Sequence, residues 1–313
     1  MFSSDGMIRR RIVTVAVMAV VIAVIDIAFG STMDSLLTKV SSGEIYANSY
    51  INSSLNDSIV IMGSSRAGHH YDPEILEDAF GVTVYNAGVD KNGIILAYCY
   101  LNNILSRGEK PRLIIYDFYA LHDLFGSYDR YGALGNIRPY YDRPGIREVI
   151  DDIDETEYLK LHSSAYRYNT VWLKILWSLG VKEPDGSLKG FRPKEGMMDG
   201  APKAAEYDYE AAEQGIDPVN VKYLRRFIDI CEREKIAVIF VTSPKYYRVK
   251  YTDRYRALLK KYSGRPDLEL LDFQSHPAFV GNASLFIDPL HMNSHGAALF
   301  TRQLADTLLH LRP

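Results

Sequence analysis

A serine near one end of the chain and a histidine–acid pair near the other have the types and order that acyl transfer requires. Ser65 lies in the stretch Ile59–Gly68, which reads IVIMGSSRAG and leads from a short apolar run into Gly-Ser-Ser. Asp288 and His291 lie three residues apart, just before the last apolar segment. A serine hydroxyl becomes nucleophilic when a histidine removes its proton, and an acid orients that histidine. The pattern predicts Ser65 as the nucleophile, His291 as the base and Asp288 as the orienting acid.

Both segments also have simpler interpretations, which the sequence leaves open. Gly-Ser-Ser is typical of a turn from strand to helix, in which Ser65 would only cap the helix. An Asp-x-x-His spacing is common in ordinary turns, so Asp288 and His291 could be structural. A zinc site made of Asp288, His291 and His295 is a third alternative, but no neighbouring cluster supplies further ligands.

Residues close to these segments are candidates for holding substrate. Gly88 ends the tripeptide Asn-Ala-Gly, and its backbone N–H could stabilise an oxyanion together with the N–H of Ser65. A tight turn explains Gly88 equally well. Arg66 is predicted to bind an anionic group of the substrate, and Asn92 is a further substrate-binding candidate.

The elements that must position these residues alternate along the chain. Short apolar runs separated by amphipathic segments are typical of a parallel sheet covered by helices on both faces. The predicted strands are Ser58–Met62, Val82–Tyr85, Arg112–Tyr116, Ile236–Val241 and Leu268–Leu271. The predicted helices are Asp72–Phe80, Gly93–Ser106, Val219–Glu234, Thr252–Tyr262 and Ser294–Leu311. Ligands of such sheets bind at the carboxyl ends of the strands, where Ser65 and Gly88 lie.

The alternation stops between the third and fourth strands. Residues 120–218 hold two helical stretches, Ile146–Asp154 and Tyr166–Leu179, and a part rich in Gly, Pro and charge. A connection of this length is usually functional, so we expect an insertion that covers the site. His69 and His70, on the loop after the serine, could line the mouth of the site, but we expect them to be solvated.

The first thirty residues differ from the rest of the chain. Arg9, Arg10 and Arg11 precede a nearly unbroken apolar run at residues 12–30, which as a helix would span about 28 Å. The arginines would keep the N-terminus in the cytoplasm. The sequence therefore predicts a cytoplasmic N-terminus at residues 1–11, a single-pass anchor at 12–30, a polar stalk at 31–57 and an extracytoplasmic domain at 58–313. The alternative is a signal peptide cleaved after Gly30.

Composition excludes some classes of function. The net charge of −3 over 313 residues gives no basic surface for nucleic acid, so no nucleic-acid partner is expected. Cys99 and Cys231 lack metal-ligand spacing, and a disulfide between them stays open. The predicted chemistry requires neither a metal nor an organic cofactor.

The chain resembles the SGNH (GDSL-like) hydrolase superfamily in three short blocks. Gly-Ser-Ser-Arg at 63–66 resembles the first block, Asn-Ala-Gly at 86–88 the second, and Asp-Pro-Leu-His at 288–291 the last. The resemblance covers roughly Ser58–Asp117 and Val219–Leu311. It implies a flavodoxin-like, three-layer α/β/α fold with a five-stranded parallel sheet. It also implies ester hydrolysis or acyl transfer through an acyl-serine.

The third block of the family is altered in this chain. Members usually have Gly-x-Asn-Asp after the third strand, with the Asn as an oxyanion donor, whereas this chain has Tyr-Asp-Phe at 116–118. An ionised Asp117 would repel an oxyanion. Either Asn92 or Asn136 replaces the donor, or two donors remain, and losing one typically lowers the rate by about 10²–10³. Membrane-anchored members of that superfamily, DltD-like and alginate-acetylation-type proteins among them, have similarly altered blocks and act on envelope polymers, and this chain resembles them in architecture only.

Together these observations predict a membrane-anchored serine esterase or O-acyltransferase outside the cytoplasm. Its substrate would be an acyl ester, acetyl included, of a cell-envelope glycan or of an acylated small molecule. The alternative is a non-catalytic module on the same fold that binds a glycan or a protein partner. A metal-dependent hydrolase is the third hypothesis.

Overall fold

A five-stranded parallel sheet forms the centre of the molecule. The computed structural model describes residues 4–125, 127–169, 171–180, 189–198, 215–248 and 253–311. The strands are β1 (Ile59–Gly63), β2 (Val84–Asn86), β3 (Leu113–Asp117), β4 (Ala237–Thr242) and β5 (Leu270–Asp272). Their order across the sheet is β2-β1-β3-β4-β5, and all four neighbouring pairs are parallel. The predicted α/β fold is therefore confirmed, since this is the flavodoxin-like strand order.

Helices cover both faces of the sheet. In chain order they are α1 (Ser4–Leu37), α2 (Gly43–Ser53), α3 (Ser65–His70), α4 (Pro73–Phe80), α5 (Ile94–Ser106), α6 (Ala120–Asp123), α7 (Ser127–Ile137), α8 (Ile146–Ile153), α9 (Glu157–Lys160), α10 (Ser164–Arg167), α11 (Trp172–Gly180), α12 (Pro218–Glu234), α13 (Asp253–Ser263) and α14 (Ser294–His310). Short 3₁₀ helices occupy Arg138–Tyr140 and Ala283–Leu285.

The strands are mostly apolar because helices cover both faces of the sheet. Val60 and Met62 of β1 belong to a core shared with α5, α12 and α13. Ile59 and Ile61, which alternate with them, belong to a second core shared with α4 and α14. Alternate side chains of a strand point to opposite faces, so a strand with helices on both sides has no polar side.

The polar segment after the apolar run is not the predicted stalk. Helix α1 continues to Leu37, and α2 packs against α5 with Ile51 and Asn52 buried. Two asparagines of α2 find partners on α5: the Tyr100 hydroxyl donates to Asn48 Oδ1 at 2.8 Å, and Asn103 donates to Asn52 at 2.5 Å. The polar composition of this segment therefore reflects hydrogen bonds inside the domain.

The insertion between β3 and β4 is packed on the domain in its described parts. Residues of α7 and α8, among them Leu134, Ile137 and Val149, join the core that contains α5. The predicted helix Tyr166–Leu179 consists of two helices, α10 and α11. Residues 181–188 and 199–214 of the insertion lie outside the described part of the chain.

Candidate active site

The predicted nucleophile stands where β1 passes into α3. The strand ends at Gly63, Ser64 takes the N-cap position in an extended conformation, and Ser65 is the first residue of the helix. This places the Ser65 side chain at the carboxyl edge of the sheet. Its Oγ lies 2.9 Å from Nε2 of His291, 226 residues further along the chain.

The histidine is in turn bonded to the predicted acid. Nδ1 of His291 lies 2.9 Å from Oδ2 and 3.1 Å from Oδ1 of Asp288. Oδ1 also accepts the backbone N–H groups of Leu290 and His291, at 2.8 and 2.9 Å. Burial alone would raise the pKa of Asp288, but these hydrogen bonds, led by that of the His291 ring, lower it.

This arrangement fixes which ring nitrogen of His291 carries the proton. An ionised carboxylate only accepts hydrogen bonds, so the Nδ1 that faces Asp288 must be the donor. In a neutral ring Nε2 is then free to accept the proton of Ser65. The structure thus brings the three residues together in the geometry that general-base activation of a serine requires.

His70 holds the backbone beside His291. Its Nε2 accepts the N–H of Met292 at 3.0 Å, and its Nδ1 donates to the Ser243 hydroxyl at 2.9 Å. The ring is fully buried, and burial, followed by the charge of Arg66, holds its pKa well below the usual value. The expectation of a solvated His70 is wrong, because Nε2 joins α3 to the loop that carries the base and Nδ1 joins α3 to the residue after β4.

The expectation of a solvated His69 is also wrong, because its ring is buried and joins α3 to Arg192 and Asp90. Its Nδ1 lies 2.6 Å from the carbonyl oxygen of Arg192, and its Nε2 lies 3.2 Å from Asp90 Oδ1. Arg192 forms an ion pair with the same carboxylate. Burial opposes ionisation of Asp90, but the His69 hydrogen bond and the Arg192 charge outweigh it and lower its pKa to about 2.

The segment 189–198 of the insertion runs across the site. At one end the N–H of Asn86, at the tip of β2, donates to the carbonyl of Lys189 at 2.9 Å. At the other end the N–H of Ser294, three residues after His291, donates to the carbonyl of Lys194 at 2.7 Å. This segment therefore bridges the two halves of the site. The sequence predicts an insertion that covers the site, but it does not predict these two hydrogen bonds, because backbone hydrogen bonds do not depend on residue type.

Arg66 does not face substrate as predicted. It is 1% exposed, and its guanidinium donates to Asp117 Oδ1 at 2.7 Å and to the carbonyls of Phe118 and Ser243. The Tyr71 hydroxyl donates to the other oxygen of Asp117 at 2.8 Å. The altered third block is therefore a buried ion pair beneath the site, and the charge of Asp117 is compensated by Arg66.

Gly88 lies beside α3, but its N–H has a partner inside the protein. That N–H donates to Asn86 Oδ1 at 3.0 Å, which differs from the expected free oxyanion donor. A methyl group at Gly88 would lie 2.4 Å from the Gly68 nitrogen and 2.7 Å from Ala67 Cβ. Glycine is thus required for close packing of this turn on α3.

Asn92 lies on the far side of the same turn. It is 4% exposed, and its Nδ2 donates to the carbonyl of Asp90 at 2.9 Å. Together with Gly88, Asp90, Asn136 and residues of α2 it lines a cavity of about 270 Å³. Asn92 therefore lines this cavity, and its side-chain amide is hydrogen-bonded to the backbone of its own turn. Asn136 Nδ2 donates to its own helix, at Gly132.

The structure also bears on the zinc alternative and on the two cysteines. Within the described ranges, no group of three His, Cys, Asp or Glu side chains is arranged to hold a metal ion. His291 has both ring nitrogens engaged, by Ser65 and Asp288, and His295 is exposed on α14. Cys99 and Cys231 are both buried and are not joined in a disulfide, and burial raises the pKa of Cys231 to about 12.

Comparison with known proteins identifies weak structural similarity. No family model and no curated protein matches the sequence. The acetyl xylan esterase AlAXEase is 12% identical with a TM-score of 0.38, over 82% of this chain and 100% of its own. A protein described as a platelet activating factor from Streptococcus pneumonia is 10% identical with a TM-score of 0.39, over 93% and 99%. At these values neither likeness carries an argument about function.

Proposed function

We propose that this chain is a membrane-anchored serine esterase or O-acyltransferase of the SGNH type. Ser65 attacks the acyl carbon, and His291 takes its proton and returns it to the leaving alcohol. Asp288 holds the imidazole and stabilises its charged form. The observation that supports the proposal is the pair of contacts of 2.9 Å from Ser65 Oγ to His291 Nε2 and from His291 Nδ1 to Asp288 Oδ2.

The oxyanion of this reaction would be held at the start of α3. The N–H of Ser65 lies in the first turn of that helix, where backbone N–H groups are not used by the helix itself. The Gly88 N–H would serve as a second donor only by sharing or exchanging its bond to Asn86. A hole with few donors fits a slow or specialised enzyme, because each donor typically contributes about 10²–10³ in rate.

The proposed substrate is an acyl ester, acetyl esters included, of a cell-envelope glycan. Helix α1, which is long and apolar enough to cross a membrane, would hold the site at the cell envelope. Its outer half is part of the folded domain: Asp26 accepts the N–H of Ser164 at 2.7 Å, and Gly30 is buried against the Ser164 side chain. Cleavage after Gly30 would remove these contacts, which favours a retained anchor over a signal peptide.

The test uses the full chain in nanodiscs with p-nitrophenyl acetate and an O-acetylated polysaccharide as substrates. Ser65→Ala should lower kcat/KM by about 10³ or more and abolish labelling by a fluorophosphonate probe. Ser64→Ala is the matched control, because the Ser64 hydroxyl is buried and has no hydrogen-bond partner among the described residues. Activity that survives Ser65→Ala would refute the serine mechanism. Polysaccharide binding without turnover or labelling would support the binding-module alternative.

A further inference from the structure

Helix α11 presents an apolar face to the outside of the molecule. Ile175 is buried on its inner side, whereas Leu173 and Trp177 are 61% and 64% exposed. The exposed apolar residues of this nine-residue helix are Trp172, Leu173, Leu176, Trp177 and Leu179. Trp172 and Leu176, and likewise Leu173 and Trp177, are four residues apart, and Leu179 follows Leu176 by three, so these side chains share one broad face. Contiguous exposed apolar surface of this kind marks a contact with a partner or a membrane.

This helix is fastened to the outer half of α1. Ile175, together with Val171 just before the helix, packs with Phe29 and Met33 of α1 and with the apolar residues that follow them to Leu37. The Tyr168 hydroxyl, in the same cluster, donates to Asp34. The apolar face of α11 is thus continuous with the helix proposed to cross the membrane.

The height of α11 above a bilayer follows from where the domain first meets α1. Residues 6–25 are exposed, and Asp26 makes the first polar contacts, with residues 163–165. The predicted anchor, residues 12–30, spans about 28 Å as a helix, which is close to the thickness of the hydrocarbon core. The α11 contacts begin at Phe29, at the outer end of this anchor, and continue to Met33, three residues or about 4.5 Å beyond Gly30. This distance falls within the headgroup layer, which is about 5–8 Å thick on each side.

We propose that α11 is a second membrane contact, whose apolar face lies in the interface of the bilayer that α1 crosses. Tryptophan is enriched at this depth because its ring is apolar and its N–H is polar, and Trp172 and Trp177 are the two tryptophans of the chain. Leucines beside them would enter the acyl boundary, as in other interfacial helices. The proposal rests on the anchoring of α1 and not on the chemistry of Ser65.

The contact would also bring a groove to the membrane surface. This groove, of about 720 Å³, lies between α2 and α11 and is lined by Glu44, Ile45, Leu173, Lys174, Trp177 and Ser178. It shares Glu44, Ile45 and Lys174 with the cavity that Gly88 and Asn92 line. A substrate held close to the bilayer would therefore meet an opening that leads toward the turn beside α3.

The two tryptophans make the proposal directly measurable. The full chain is reconstituted in phosphatidylcholine–phosphatidylglycerol vesicles with ordinary or dibrominated acyl chains, and tryptophan emission is recorded selectively. Emission should be blue-shifted, lose most of its intensity in the brominated vesicles and resist aqueous acrylamide. The single-tryptophan variants Trp172→Phe and Trp177→Phe should each show this quenching.

A reporter elsewhere on the domain is the control. Leu309 on α14 is 41% exposed, and that helix packs against α3 and α4. In a Trp172→Phe/Trp177→Phe background, Leu309→Trp should keep its emission in brominated vesicles. If the chain co-floats with the vesicles on a density gradient but bromine does not quench the α11 tryptophans, the proposal is overturned. Acrylamide then shows what the face contacts instead, because it quenches tryptophans in water but not tryptophans covered by protein. A chain that fails to float would overturn the anchoring itself. Neither result bears on the esterase chemistry.

Discussion

Replacement of Asp288 by Asn tests the proposed mechanism with little disturbance of the fold. Oδ1 of Asp288 accepts the N–H groups of Leu290 and His291, and an Asn oxygen can keep both bonds. Oδ2, which lies 2.9 Å from His291 Nδ1, would become an NH₂ group. An amide NH₂ donates, so Nδ1 must accept and the ring proton moves to Nε2. His291 would then donate to Ser65 instead of accepting its proton.

The size of the expected effect follows from the loss of the base alone. The wrong tautomer in a serine–histidine–acid arrangement lowers kcat by about 10⁴, as in the best-studied serine proteases. A factor of 10³–10⁴ in kcat/KM corresponds to about 4–5.5 kcal/mol in the activation free energy. Asp288→Ala should lower activity at least as much. It should also destabilise the loop, because it leaves the Leu290 and His291 N–H groups without their acceptor.

The assay is p-nitrophenyl acetate hydrolysis by the full chain in nanodiscs, together with the rate of fluorophosphonate labelling at Ser65. Asp288→Asn should label slowly and keep the unfolding midpoint of the parent chain, whereas Ser65→Ala should not label. Parent-like activity within about threefold in a correctly folded Asp288→Asn variant would show that this carboxylate does not set the tautomer of His291, and the reasoning would fail.

Three further outcomes follow from buried groups around the site. Arg66→Met should lower the free energy of unfolding by about 3–5 kcal/mol, because Asp117 is left as an unpaired buried charge. Adding Asp117→Asn to this variant should restore part of the lost stability. Urea titration measures both changes. His70→Ala should lower kcat more than it changes KM, because the Met292 N–H loses its acceptor. In the same ester assay His70→Gln should recover activity, because its side-chain carbonyl can accept that hydrogen bond. Burial raises the pKa of Asp123 to about 7, whereas an aspartate in an unfolded chain has a pKa of about 3.9. The folded state therefore binds this proton more tightly than the unfolded state. The stability that this gives is fully present below about pH 4 and is lost as the pH rises toward 7. Asp123→Asn should therefore flatten the decline of the urea midpoint over that range.

The sequence alone determined the sheet and the edge of the sheet at which the proposed site lies. Apolar runs that alternate with amphipathic helices dictate parallel strands covered on both faces, and β1 to β5 lie within three residues of their predicted bounds. Parallel strands place all of their carboxyl ends on one edge of the sheet, which is the edge where ligands bind. Ser65, which follows β1, therefore lies at that edge whichever segment of the chain supplies its base. These are local consequences of side-chain periodicity, which is why they could be predicted.

The tertiary structure decided which polar groups serve the site and which serve the fold. Arg66 and Asp117 are 51 residues apart and neutralise each other in the core, whereas the sequence placed Arg66 in the substrate site. His70 and the asparagines of α2 are polar residues in polar segments, and only the structure shows that they form hydrogen bonds inside the domain. A polar side chain has the same type in water and in a hydrogen-bonded core, so its role depends on a spatial neighbour that residue order does not reveal.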